Sequence, residues 1–211
     1  MGIEDGNLFM MCASLRQEAL RALPEGYVLR SCRKEELELW KRLQFDDEQT
    51  AREYHAFMTA YFDTVYAPKG ELFFQKCRLV LTARGEPVGT CFVWKAYDAA
   101  QTVHWFKVRK DCEGRGLGRA LLSAVLGELG PEDFPVFLHT HPACLRALKL
   151  YVDFGFQLLT DPVFGGRRND WAESLPYLRA WLPPGTLAKL RPTVAPAWFP
   201  EVVAAAKTEQ F

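Results

Sequence analysis

The segment from Val108 to Leu129, VRKDCEGRGLGRALLSAVLGEL, constrains this chain more than any other. A run with strand character, VHWFKV, leads into a turn that carries Gly114, Gly116 and Gly118. The glycines open directly into a stretch with apolar residues at Leu121, Leu122, Val125, Leu126 and Leu129, the spacing of an amphipathic helix. The first N–H groups of a helix have no partner inside it and carry a partial positive charge, so a helix start receives an anion. Glycine lets that backbone approach the anion with no Cβ in the way. Taken alone, such a turn leaves two readings open: a plain strand-to-helix connection, or a site for a phosphate-bearing ligand.

Spacing narrows the ligand. A dinucleotide fingerprint needs G-x-G-x-x-G and a following acidic residue for the ribose. This turn reads G-x-G-x-G and lacks that acid. A P-loop needs G-x-x-x-x-G-K followed by Ser or Thr. Here Arg119-Ala120 stands at the Lys and Ser/Thr positions.

A second segment, VFLHTHPACLRALKLYVDFGF from Val136 to Phe156, reads as a strand, a break at Pro142 and a helix that ends at Gly155. Together the two segments resemble the GNAT superfamily of acyl-CoA-dependent N-acyltransferases. That family's signature places Gln or Arg, two residues, Gly, one residue, then Gly or Ala after its fourth strand. Glu113-Gly114-Arg115-Gly116-Leu117-Gly118 matches it, with Glu113 at the head in place of Gln or Arg. The later family motif runs here from Cys144, which replaces the usual Asn, through Ala147, Leu150, Tyr151, Gly155 and Phe156. The clear resemblance covers Arg78 to Leu159, with strand and helix order extending it back to Tyr27.

The resemblance implies an α+β fold, a mixed and mostly antiparallel sheet flanked by helices and splayed centrally to admit CoA. It implies acetyl-CoA as co-substrate. The pyrophosphate is expected on the N–H groups of Gly114 to Gly118, with Arg115 and Arg119 either adding charge or standing as solvated helix residues. Phe106, Val108, Cys144 and Ala147 are expected along the rest of the cofactor, and the oxyanion donor is expected to be a backbone N–H near Val108. Tyr151 stands at the family's general-acid position and is expected to protonate the CoA sulfur; the alternative is a Tyr packed beside Phe154 and Phe156.

The base has two candidates, His104 and a chain of waters, and the alternative for His104 is a structural histidine on the sheet. An unperturbed imidazole titrates at about 6.5, which suits proton acceptance near neutrality. By strand alternation His104 shares a face with Phe106 and Val108. A bulge, common in this strand of the family, would reverse that parity.

Three domains are expected: a helical extension over 1–26, an acyltransferase core over 27–160, and a C-terminal helix with a proline-marked tail over 161–211. The extension rests on Leu8, Met11, Leu15, Ala19 and Leu23 at helical spacing. Helices are expected over 34–45 and 48–66, a short strand or the approach to one over 73–77, and a hairpin around Arg84-Gly85-Glu86-Pro87. Tyr54, Phe57 and Tyr61 are most simply core, with the acceptor pocket as the second reading. Trp171, Tyr177, Trp181, Trp198 and Phe199 are expected to cover the sheet or a homodimer partner.

Lys and Arg total 26 and Asp and Glu 26, so there is no basic surplus for nucleic acid. No apolar run approaches a membrane span, and the start lacks a signal-peptide pattern. The six cysteines form no C-x-x-C pair and fit a reducing, cytoplasmic setting as core residues. His139-Thr140-His141 is an H-x-H pair without a third ligand in sequence, so no metal is expected. The expected function is N-acetyl transfer to a small-molecule or peptide amine. The alternatives are a protein or peptide N-acetyltransferase and a non-catalytic acyl-CoA-binding module.

Overall fold

The structure is a computed structural model that describes residues 2–211. The described residues divide into two compact units, 2–19 with 95–103 and 129–211, and 20–94 with 104–128.

The first unit is built on β1 (Leu8–Cys12), β6 (Val136–Thr140), β7 (Gln157–Leu159) and β10 (Pro192–Thr193). β1 runs antiparallel to β6, from Leu8 opposite Thr140 to Cys12 opposite Val136, and also antiparallel to β7. All five of its residues are buried. This corrects the expected helix over 1–26. LFMMC is apolar at every position, and an internal strand whose alternate residues are all buried is covered on both faces, so an unbroken apolar run fits it better than an amphipathic helix. Only a short 3-10 turn, Gln17–Ala19, follows.

The tail adds β10 parallel to β7 and the helix α9 (Trp198–Ala205). Phe199 is fully buried and stacks on Phe137 of β6 with centroids 3.7 Å apart, so this part of the tail covers the sheet. Trp181, at the end of α7 (Trp171–Trp181), is 64% exposed. The remaining elements of this unit are the hairpin of β8 (Val163–Phe164) and β9 (Arg167–Arg168) and the short helix α8 (Pro184–Leu187).

The second unit orders β2 (Tyr27–Ser31), β3 (Arg78–Thr82) and β4 (Pro87–Ala96) as antiparallel neighbours, with β5 (Ala100–Val108) beyond β4. The strands β4 and β5 run through both units. The start of β5 pairs parallel to β6 at Gln101 and Thr102. Helix α5 (Leu117–Gly127) lies against β4 at Gly89, where a Cβ would meet both the Leu121 side chain and the Lys107 carbonyl at 3.0 Å. The segment after the 3-10 turn lies along α5, held by the Arg21 N–H donating to Ser123 Oγ at 2.9 Å.

Two expected elements of this unit differ. The helix over 48–66 is three pieces: α2 (Glu48–Glu53), α3 (His55–Tyr61) and a wide turn, Phe62–Tyr66. It breaks at Tyr54, whose φ of −93° and ψ of 1° leave the helical region. Residues Leu72–Lys76 form the helix α4, not a strand, after α1 (Leu37–Leu43) and the intervening helices. Among the described residues no helix is long and apolar enough to cross a membrane. Five cysteines are buried, and Cys144 is exposed.

Candidate active site

In the second unit, β5 delivers the chain to the glycine turn through a 3-10 turn, Lys110–Cys112. Gly114 and Gly116 take left-handed conformations, φ +77° and +82°, which only glycine adopts without crowding. Gly116 is the residue just before α5, no side chain caps the helix there, and no acidic residue occupies its first turn. No side-chain cap competes for the start of α5, the arrangement that receives a phosphate. A Cβ at Gly114 would meet open space, so nothing crowds an approach there.

The charges around the turn are uneven. Arg109 pairs with Asp111, and that guanidinium holds the carboxyl at about 2. Arg115 is exposed; its guanidinium donates to the Asp111 carbonyl at 2.9 Å and to the Tyr27 hydroxyl at 3.2 Å. Arg119 is half-buried within the first turn of α5, and Glu113 is exposed before it. Phe106 and Val108 are half-buried on β5.

His104 sits deeper on the same strand, 4% exposed. Its Nδ1 shares a hydrogen bond with Tyr66 Oη at 2.6 Å, and the Trp105 indole Nε1 donates to the same oxygen at 2.8 Å. Burial lowers the imidazole to about 3, so it is neutral near pH 7 and a weak proton acceptor. That environment argues against His104 as general base. Strand alternation also fails here: Thr102, Val103 and His104 are all buried in succession, and Trp105 has φ +50°. The parity reading that placed His104 beside Phe106 and Val108 does not hold through such a turn.

In the first unit, α6 (Leu145–Phe154) carries the other motif residues. Cys144 precedes it, exposed and making no side-chain cap bond. Ala147 is half-buried, and Tyr151 is buried beside Phe156 with ring centroids 5.7 Å apart. The helix ends at Gly155, φ +107°, with the Phe156 N–H donating to the Tyr151 carbonyl at 2.9 Å. A Cβ at Gly155 would stand 3.0 Å from the Ser14 carbonyl.

His139 and His141 have their rings 4.9 Å apart, but each is engaged by protein: His139 Nε2 with Asn7 Oδ1 at 2.9 Å, His141 Nδ1 with the Gly6 carbonyl at 3.0 Å. Among the described residues no group of three or more His, Cys, Asp or Glu is placed to hold a metal.

The sequence did not point to Tyr66, which lies 38 residues from His104. Nor did it mark the cavity of about 580 Å³ bounded by Leu39, Leu43, Phe45, Arg109 and Lys110. Tyr54 and Phe57, read first as core, are 50% and 54% exposed, while Tyr61 packs edge-on against Trp105 at 5.5 Å.

The model of the acetyltransferase (GNAT) family matches residues 32–156. Among solved structures, an acetyltransferase from the GNAT family of Colwellia psychrerythraea aligns with 12% identity over 73% of this chain and 53% of that one, TM-score 0.50. A GCN5-related N-acetyltransferase from Sphaerobacter thermophilus aligns with 19% identity over 65% and 43%, TM-score 0.46. A GCN5-related N-acetyltransferase-like protein from Streptococcus suis aligns with 17% identity over 73% and 59%, TM-score 0.46. The chain thus spans about half the length of these solved chains. No curated protein matches.

Proposed function

The chain belongs to the GNAT acetyltransferase family, and from that premise we propose that it moves an acetyl group from acetyl-CoA to a primary amine by direct attack. The observation that carries this reading is the glycine turn: two left-handed glycines ahead of an uncapped helix start, in a family whose co-substrate is an acyl-CoA. The N–H groups of Gly114 to Gly118 take the pyrophosphate, with Arg115 and Arg119 supplying positive charge. Glu113 contributes its backbone, its side chain being exposed. Phe106, Val108, Cys144 and Ala147 follow the pantetheine arm by family position.

The deprotonated amine attacks the thioester carbonyl carbon, and a C–N bond forms as the carbonyl oxygen takes the charge. A backbone N–H near Val108 stabilises that oxyanion. The C–S bond then breaks, and the Tyr151 hydroxyl protonates the leaving sulfur, giving free CoA thiol and the amide. The amine's proton passes to water and not to His104, whose imidazole burial holds at about 3, and solvent returns a proton to the Tyr151 phenolate.

Calorimetric titration with acetyl-CoA, and with CoA for comparison, tests the first half. Saturable micromolar binding supports the assignment and leads to a panel of small amines and peptide N-termini with thiol release as the signal. Absence of binding to either ligand removes the enzyme reading.

A further inference from the structure

We propose that Tyr66 is a positioning residue for the transfer: its hydroxyl clamps His104 and Trp105 together and so fixes the left-handed turn from which β5 runs on through Phe106 and Val108 to the glycine loop. The inference rests on the acyl-transfer reading above for its activity measurement, and on the backbone alone for its second one.

Successive side chains of a strand point to opposite faces, so one atom does not reach both. Yet Tyr66 Oη is 2.6 Å from His104 Nδ1 and accepts from Trp105 Nε1 at 2.8 Å. The left-handed Trp105, φ +50°, is what brings the two rings to one side. That conformation crowds the Cβ of any L-residue and persists only where the surroundings hold it. The turn and the clamp therefore require each other.

The clamp has a fixed anchor. Tyr66 is fully buried, with ring centroids of Phe73 at 5.0 Å, Phe92 at 5.4 Å, Trp94 at 4.9 Å and Trp40 at 6.2 Å. Its hydroxyl has little freedom to follow a strand that moves. Trp105 is braced as well, by Trp40 at 5.8 Å and Tyr61 at 5.5 Å, both edge-on. A left-handed residue interrupts the strand's alternation, so it sets which face Phe106 and Val108 present and where the N–H groups between them point. His104 thus has a purpose that needs no proton transfer: it is the second arm of the clamp.

The test is Tyr66→Phe, which keeps the ring and deletes the hydroxyl. Amide hydrogen exchange over Phe106 to Arg109 is expected to rise at least tenfold. At saturating acetyl-CoA and amine, kcat is expected to fall at least tenfold while KM for the amine stays within twofold. Trp105→Gly supplies a residue that takes the left-handed conformation unaided. In that background, adding Tyr66→Phe is expected to cost less than a further twofold in kcat.

Unchanged exchange over Phe106 to Arg109 in Tyr66→Phe overturns the proposal, and so does an equal loss of kcat in both backgrounds. Should Tyr66→Phe not fold, Trp105→Phe removes the indole donor at a half-buried position and is read by exchange over Phe106 to Arg109 and by kcat in the single variant. A wild-type protein that binds no acetyl-CoA refutes the enzyme reading, while the exchange measurement still decides the clamp.

Discussion

Gly116 offers a residue-scale test of the glycine turn. Its nearest would-be Cβ contact, Pro24 Cγ at 3.5 Å, is ordinary packing, so a substitution is penalised by conformation and not by collision. Holding a non-glycine residue left-handed costs about 1–2 kcal/mol. Gly116→Ala is therefore expected to lower stability by about that amount, and to weaken acetyl-CoA binding at least tenfold by calorimetry as the helix start shifts. A normal dissociation constant in this variant would take the pyrophosphate away from the turn. Tyr151→Phe keeps the ring packed on Phe156 and deletes the hydroxyl proposed as the acid. A positioned acid contributes about 10²–10⁴-fold, so kcat should fall by about a hundredfold or more with KM for acetyl-CoA unchanged; turnover within twofold of wild type would leave Tyr151 a packing residue. The sequence singles out these two residues because each sits inside a motif of fixed local spacing. The partners of His104 are not singled out: no pattern along the chain ties it to Tyr66, and its neutral state follows from tertiary burial alone.

The elements that were easiest to read carry their own punctuation. Asp47 accepts from the Thr50 N–H at 2.8 Å at the start of α2, and Gly155 and Phe156 close α6. The α+β order from β2 to β7 followed from such signals, apart from α4 and the break at Tyr54. The error over 8–23 has a physical source. Leu8, Met11, Leu15, Ala19 and Leu23 do fall on a helical period, but Phe9, Met10 and Cys12 fill the gaps between them and are equally buried. Apolar residues on every face mark a short buried strand as readily as a helix, and length is the better arbiter. α9 gives a direct test of how the tail contributes. Phe199 stacks on Phe137 and also meets Phe164 at 5.5 Å. Phe199→Ala is expected to cost about 3–5 kcal/mol in urea unfolding; a loss under 1 kcal/mol would mean the tail does not hold the sheet it covers.

For the whole molecule, acid is the informative stress. Burial lowers His104 from 6.5 to about 3 and, with the charge of Arg167 and His141 beside it, His139 from 6.5 to about 2. Both imidazoles take up protons more readily in the unfolded chain. Stability is therefore complete above about pH 6.5 and declines as pH falls toward 3, by about 1.4 kcal/mol per pH unit for His104 within that window. The thermal midpoint should drop between pH 7 and pH 5, and His104→Gln should shallow the decline; an identical slope in the variant would place the acid sensitivity elsewhere.

The placement of β1 has a consequence for how the chain comes into being. Leu8 hydrogen-bonds into a ladder with Thr140, and Met10 lies opposite Leu158. On a ribosome extending at about 5–20 residues per second, the strand LFMMC emerges roughly 7–26 seconds before its partners do. Throughout that interval five apolar residues have no sheet to join. LFMMC is thus made long before the strands it joins, and while it waits for them it offers a chaperone an exposed apolar segment.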